Sequence, residues 1–465
     1  MPSPDEVSHL LRRTEFFAQP VRVSELAALA DRGAAVDNVL AVDPNPAPLV
    51  DPASVPDTYD AAEHAQRIAA VTRTWVDRMT VAPKRMAEKM ALFWHGHFVS
   101  DDAKAGYPAT LALQLDLYHR TGLGNLRQLA IDMSTTVAML RYLDNNQNFR
   151  LAPNQNFGRE LLELFLLGVG NYTEDDVIAS TAAWTGHGEN NHHTKGAYVW
   201  DVWSHDAEPR PFLGTMTCQH SNPQQHGPDI IRTVLGNGVA TAGPRAGQLT
   251  REIAADFIST KLWAYFAGTP LPAAVRDHLR GVAIGADFEL KPWLRALLTH
   301  DAFYAADVRQ GRVRSPVDYL VALLATTSVP ADPGFPFWLG EGMGQRLLFP
   351  PNVAGWGHNG YYVNASAFSQ RAAAARHVAY YVIEDYWDGP GMKLRRGNLT
   401  RAEAWGYGSG AAGRQALVRR IVDLMAITLS PTTLAALDEF AINAGPDELH
   451  DLVELIYVSP EMSVS

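Results

Sequence analysis

The feature that most limits how this chain can fold is the stretch from Asn154 to Gly170, NQNFGRELLELFLLGVG. At about 100° per residue, its apolar side chains cover nearly the whole surface of a helix, which is typical of a helix buried inside a large domain. Its polar side chains share one narrow stripe: Asn156, Arg159, Glu160 and Glu163. Buried carboxylates are costly unless they are paired, protonated or bound to metal. The stripe is therefore the first candidate for a functional site.

The composition restricts the class of protein. The chain has 465 residues, of which 47% are hydrophobic, and this is enough for a sizeable core. Its net charge is -11 and no block of Lys and Arg occurs, so nucleic acid and anionic membranes are not expected partners. A single cysteine excludes an internal disulfide framework. Neither an N-terminal signal pattern nor a run near the ~20 apolar residues of a membrane span is present, which predicts a cytoplasmic location.

The hydrophobic periodicity predicts a mostly α fold, a single large multi-helix domain with a small antiparallel β-hairpin insertion. The two strands of the hairpin are predicted over residues 197–203 and 211–217, with the turn SHDAEPR between them. The predicted parts of the domain are N-terminal helices with a Pro-rich crossing segment (1–60), core helices with the polar site (61–190), the hairpin insertion (191–225) and C-terminal helices with the loop PPNVAGW (226–465).

Two histidines stand near the end of a helix that is predicted to begin near Pro83. His97 shares a face with Phe93 and is expected to point toward the core, whereas His95 lies on roughly the opposite face. The two side chains could converge if the helix ended at Trp94. A core histidine commonly bonds a backbone carbonyl, and the alternative is a metal ligand that meets the carboxylate stripe.

The segment LDNNQNFRLAPNQNF, residues 143–157, is rich in amides. One interpretation is an ordered loop that caps the central helix through Asn154 or Asn156. The other is that these amides, with Arg159, orient a substrate, because amides make specific contacts without titrating. We therefore take Asn154, Asn156 and Arg159 as candidate catalytic side chains.

Further histidines follow the central helix. Thr173 and Asp176 form a capping-box-like start for the next helix, which is expected to bury Trp184. Beyond it stand His187, His192 and His193, without a spacing that indicates a metal site. The predicted hairpin turn contains the pair His205 and Asp206. This pair is either a ligand with a local orienting carboxylate or a surface turn.

The sequence also resembles a known family. The stretches that carry the resemblance occur in order along the chain: HLLRRTEF, FWHGHFVS, LDNNQN, NQNFGRELLELFLLGVGNYTEDDV and PPNVAGW. Together they resemble the bacterial family called domain of unknown function 1800. The resemblance implies a mostly helical protein whose relatives are often exported and encoded beside a sulfatase-like protein, which is a candidate partner. It marks the following motif positions without giving them roles: His95, His97, Asn154, Asn156, Arg159, Glu160, Glu163, His205 and Asp206.

The chain departs from the family pattern at three places. The family typically reads Asn-Glu-Asn-Phe-Ala-Arg-Glu where this chain has Gln155 and Gly158, so that one carboxylate is absent. An aromatic residue usually follows Thr-Gly where this chain has His187. The export signal is also missing. These departures suggest a cytoplasmic member with an altered site.

The first functional hypothesis is a metal-dependent enzyme whose ligands are His97, His95, Glu160, Glu163 and His205. Carboxylates with imidazoles suit iron, manganese or zinc, and carboxylate-bearing helices in bundles are known from di-metal oxidases. Oxidation of a small organic substrate is favoured over hydrolysis because the expected pocket is rich in aromatic residues and methionine. No nucleotide cofactor motif occurs.

Two alternatives need no metal. In the first, Arg159 pairs with Glu163, and Glu160 bonds the Asn-rich loop and His97, which gives a structural network in a binding or scaffold protein. The PPNVAGW loop would then line a ligand groove. In the second, Glu160 and His97 act as a metal-free acid–base pair.

Overall fold

The computed structural model describes residues 1–49, 61–191, 195–309, 311–327, 340–383, 386–388, 393–395, 406–408, 410–425, 427–444 and 448–465. Most of the Pro-rich crossing segment lies outside these residues, and so do His192 and His193. The fold is mostly α, as predicted, with small antiparallel strand pairs. The division into domain parts remains a prediction.

The helices of the first half of the chain are α1 (Pro4–Thr14), α2 (Pro20–Ala27), α3 (Arg32–Leu40), α4 (Ala61–Val81), α5 (Met86–His97), α6 (Asp102–Ala105), α7 (Pro108–Thr121), α8 (Leu126–Ser134), α9 (Val137–Tyr142), α10 (Asn156–Glu160) and α11 (Glu174–Ala183). Those of the second half are α12 (His226–Val234), α13 (Thr250–Phe266), α14 (Ala273–Gly285), α15 (Leu290–Thr299), α16 (Pro316–Thr327), α17 (Ala365–Ile383), α18 (Ala411–Met425), α19 (Pro431–Asn443) and α20 (Leu449–Tyr457).

One continuous cluster of buried apolar side chains runs from Val7 to Met462 and holds these helices together. Its largest fully buried members are tryptophans: Trp75, Trp94, Trp184, Trp263 and Trp293. Along the described residues, no helix combines the length and the apolar character that crossing a bilayer requires.

Capping explains where α11 begins. The Thr173 side chain accepts the backbone N–H of Asp176, and the Asp176 carboxylate accepts the N–H of Thr173. This reciprocal pair is the capping box that the sequence predicted. Asp176 also accepts the backbone N–H of Leu213 at 2.8 Å and so ties the start of α11 to the following strands. The predicted inward face of α11 is confirmed, because Trp184 is buried.

The central helix differs from the regular α-helix that was predicted. After α10 the chain continues as a π-helix, Leu161–Leu166, in which the N–H of Leu167 bonds the carbonyl of Leu162 five residues back. Leu161, Leu162, Phe165 and Leu166 are buried, but the polar stripe is only half-buried. The predicted burial of the stripe was therefore wrong, because one face of the helix lies near solvent.

The strands form three antiparallel pairs: β1 (His187–Glu189) with β2 (Tyr198–Trp200), β3 (Pro211–Phe212) with β4 (Thr215–Met216), and β5 (Tyr386–Asp388) with β6 (Lys393–Arg395). The predicted strand regions 197–203 and 211–217 do not pair with each other, so the predicted pairing was wrong. Residue 200 is opposite His187, where the two aromatic rings pack 4.7 Å apart between centroids. A 3₁₀ turn capped by Asp201 then ends β2.

Candidate functional site

The carboxylates of the central helix have partners other than those expected. Arg159 donates to Glu174 at 2.6 Å and to Gln155 at 3.0 Å, whereas Glu163 accepts the hydroxyl of Tyr172 at 3.0 Å. The ion pair between Arg159 and Glu163 in the first alternative is replaced by these contacts. Burial and the nearby Glu163 raise the pKa of Glu160.

The Asn-rich loop has a structural task. Asn154 accepts the backbone N–H of Asn156 at 3.0 Å and so orders the start of α10. Asn148 donates to the carbonyl of Thr181 at 2.9 Å, and Asn145 donates to the carbonyl of His187 at 2.9 Å. Carbonyls at a helix C-terminus lack intrahelical partners, and these amides supply them at the end of α11. The geometry supports the capping interpretation for this loop.

His95 and His97 lie in different surroundings. The helix α5 continues to His97, whose Nε2 donates to the carbonyl of Phe165 at 3.0 Å. The Nε2 of His95 accepts the N–H of Leu348 at 3.2 Å. Burial lowers the pKa of His95 to about 3 and the pKa of His97 well below its usual value, so both rings are neutral at pH 7. No hydrogen bond joins His97 to Glu160, both of which are described.

The predicted ligands do not assemble into one group. Among the described residues, the group of three or more donor side chains close enough to share an ion is His205, Cys218 and His226, whose ligand atoms lie within 4.8 Å of one another. Of the five predicted ligands, His205 alone belongs to it. Cys218 and His226 were missed because their spacing follows no common metal motif. The signal that could have found them is one cysteine and two histidines within a short segment.

Local backbone structure places the three side chains. His205 follows the 3₁₀ turn Val202–Ser204, and Cys218 comes two residues after β4 with φ of 57°. A positive φ is uncommon for a residue with a side chain. His226 is the first residue of α12. The Cys218 thiol faces the carbonyl of Asp206 at 3.8 Å.

Hydrogen-bond partners define which ring nitrogens carry protons. The Nδ1 of His205 is 2.9 Å from the carbonyl of Thr185 and 3.3 Å from its hydroxyl oxygen. That hydroxyl already donates to the carbonyl of Ala182 at 2.6 Å, so both groups act as acceptors for the ring. The Nε2 of His226 is 2.9 Å from the carbonyl of His220. The hydrogens of the neutral rings therefore belong on these two outer nitrogens.

This assignment leaves two bare nitrogens facing each other. The Nε2 of His205 and the Nδ1 of His226 are 2.9 Å apart, and in neutral rings both are acceptors. Two lone pairs at this distance need a positive charge between them, either an added proton or a metal ion. The outer N–H groups bonded to carbonyls match the second-shell arrangement that orients metal-binding histidines.

A cavity adjoins the cluster. Its volume is about 270 Å³, and both Cys218 and His226 line it. Asp229 and Arg232, which pair at 2.6 Å, and Met216 are also in its wall. On the other side, burial lowers the pKa of His187 to about 3, and this ring has a buried Nε2 without a partner among the described residues.

Fold and cluster together define a class: a mostly α-helical protein with a candidate transition-metal centre between α11 and α12. The model of the family described as Protein of unknown function (DUF1800) matches residues 9–464, and the chain belongs to this family. No curated protein and no solved structure matches the chain.

Proposed function

We propose that this protein is a metal-dependent enzyme whose ion is held by His205, Cys218 and His226. The observation that carries the proposal is the pair of bare ring nitrogens 2.9 Å apart, with a thiol in reach. Two nitrogens bound at about 2.0–2.1 Å to a tetrahedral zinc ion are about 3.3 Å apart, so only a small opening of the pair is needed. The proposal keeps the metal dependence predicted from the sequence and moves the ion to a different set of ligands.

The ligand types favour zinc. Imidazole and thiolate bind zinc or copper in preference to magnesium or calcium, which favour oxygen ligands. Three protein ligands leave one position of a tetrahedral ion open, as in catalytic zinc sites. The cavity beside Cys218 and His226 supplies room for a small substrate at that position. An ion there would act as a Lewis acid and polarise a carbonyl or phosphoryl oxygen.

Copper is the second candidate, and it would restore the oxidative chemistry that the sequence favoured. Met216 lines the same cavity, and a thioether is a ligand that copper accepts. The substrate, the cytoplasmic location and a sulfatase-like partner remain predictions.

The test is elemental analysis of the purified, untagged protein, followed by titration with zinc against a chelating dye. We expect near-stoichiometric zinc in the parent protein. The H226A variant should weaken zinc affinity by more than the roughly 10–100-fold typical of second-shell changes, because a direct ligand is lost. Cobalt-loaded parent protein should show a thiolate charge-transfer band that is absent in C218S.

His220→Ala is the matched control. This neighbouring histidine is exposed and contacts His226 through its backbone carbonyl, which the substitution keeps. It should bind zinc like the parent protein. Glu160→Ala separates the present proposal from the ligand set predicted from the sequence, and it should also retain the metal. A parent protein that takes up neither zinc nor copper would overturn the proposal.

A further inference from the structure

A second cavity lies where the ends of α5 and α13 meet the PPNVAGW loop. Its volume is about 290 Å³. Phe93, Tyr265 and Trp356 give it aromatic walls. None of its lining residues belongs to the proposed metal cluster. The predicted contact of this loop with a pocket is therefore present, at a site other than the metal cluster.

The charges around this cavity are positive. Lys261 and Arg312 line it, and no Asp or Glu occurs among its described lining residues. Arg312 is 3% exposed and pairs with Asp318, which is itself shared with Lys89. One carboxylate thus balances two buried cations here, and Lys261 has no carboxylate partner among the described contacts.

The central helix holds two of the lining side chains in position. Lys261 donates to the carbonyl of Leu164 at 3.0 Å, and His97 donates to that of Phe165 at 3.0 Å. These carbonyls belong to the π segment, where the last groups of the helix lack intrahelical partners. The negative end of the helix dipole also favours the ammonium group. An ammonium group has three hydrogens, so Lys261 can donate to a further acceptor.

Two more polar groups at the cavity lack partners. The Tyr362 hydroxyl and the Nη1 of Arg312 are buried without a hydrogen bond to any described residue. Both residues line the cavity, and Tyr362 is 1% exposed. A buried polar group without a partner costs about 1–3 kcal/mol, so these donors indicate an absent acceptor.

We propose that this cavity binds a small organic anion, a carboxylate attached to an aromatic or other flat apolar body. Lys261, Arg312 and Tyr362 receive the carboxylate, because together they offer donors and positive charge without a competing acid. Phe93, Tyr265 and Trp356 receive the apolar body by ring packing. The site stands independently of the proposed metal centre.

The test is calorimetric titration of the whole protein with benzoate and with benzamide, which has a similar shape without the charge. We expect benzoate to bind and benzamide to bind much more weakly. Lys261→Met should weaken benzoate binding about tenfold to a hundredfold, since a charge-assisted hydrogen bond is lost. Tyr362→Phe removes one hydroxyl with little change in shape and should weaken it by about tenfold.

Matched controls are Lys291→Met and Tyr361→Phe, because both side chains are exposed neighbours in type and Tyr361 adjoins Tyr362. They should bind benzoate like the parent protein. Thermal unfolding verifies that each variant is folded, and Tyr362→Phe keeps the test valid if Lys261→Met is not. Equal affinity for benzamide, no binding of benzoate at millimolar concentration, or unchanged binding in folded Lys261→Met and Tyr362→Phe would overturn the proposal.

Discussion

Lys261 is a buried base with a neutral partner, and this decides how the second cavity responds to pH. Burial lowers the pKa of Lys261 to about 8. The titratable groups that face it are His97 from α5, and His358 and Arg312 from the cavity wall. Burial lowers the pKa of His358 to about 4 and that of His97 further, so both stay neutral near pH 8. A guanidinium group does not titrate in this range.

We therefore predict that benzoate affinity is constant near pH 7 and falls as the pH rises through about 8. The sign follows from the charge, since the ammonium form attracts the anion and the neutral amine does not. Well above this pKa the dissociation constant should rise about tenfold per pH unit, because one proton must be taken up on binding. Calorimetric titration across this range measures the profile.

The control for the pH profile is Lys261→Met, in which the affinity should be weak and independent of pH over the same range. A fall of the same size in this variant would assign the titration to another group and contradict the prediction.

At the residue scale, the sequence predicted part of the metal cluster. His205 was identified beside Asp206, in a predicted turn that could present a ligand. Cys218 was considered only as a disulfide candidate, and His226 only as part of a helical region. Side chains from a turn, a strand end and a helix start meet through tertiary packing, and spacing along a chain does not encode such a meeting.

At the scale of elements, Gly158 sets how closely α10 approaches α11. A Cβ built at Gly158 would lie 2.6 Å from the hydroxyl oxygen of Thr181 and 3.1 Å from its backbone nitrogen. The family pattern has alanine at this position, and here the methyl group has no space. This departure is thus explained by packing, because Thr181 occupies the volume that an alanine would need.

We predict that Gly158→Ala destabilises the protein by about 1–3 kcal/mol through overpacking of these two helices. Chemical denaturation of parent and variant measures the difference. Gly281→Ala is the matched control, since Gly281 is an exposed helical glycine in α14 with nothing within 4 Å of the added Cβ. It should stabilise by about 0.4–1 kcal/mol. A neutral Gly158→Ala would contradict the packing argument.

The order of helices could be predicted, and the geometry of the central one could not. Caps such as Thr173 with Asp176 are local, and local patterns place helix starts well. The π segment depends on hydrogen bonds one residue longer than those of an α-helix, and side-chain periodicity does not separate the two. The strand pairing was wrong for a related reason, because aromatic contacts between His187 and Trp200 decide it.

On the scale of the whole molecule, Asp318 links distant parts of the chain. Its carboxylate accepts Lys89 of α5 at 2.5 Å and pairs with Arg312 at 2.8 Å. Although burial alone would raise it, these two cations hold the pKa of Asp318 well below its usual value. Arg13 of α1 and Arg314 also interact electrostatically with this carboxylate. One acid therefore balances basic groups from several elements of the fold.

We predict that Asp318→Asn lowers the free energy of unfolding by about 3–5 kcal/mol, because it leaves buried cations without a counter-charge. Urea denaturation followed by circular dichroism measures the change. Asp37→Asn breaks an exposed pair with Arg295 and should cost no more than about 1 kcal/mol. Similar losses in the two variants would contradict the special role of Asp318.

The π segment Leu161–Leu166 has a consequence for chain length. Its turn holds roughly one residue more than an α turn, so the helix contains a one-residue surplus. A chain one residue shorter at this point could close its hydrogen bonds as an ordinary α-helix, and everything after the deletion would rotate by about 100°. The carbonyls of Leu164 and Phe165 would then point away from Lys261 and His97. The count of residues in one helix turn thus governs whether the second cavity has its donors in place.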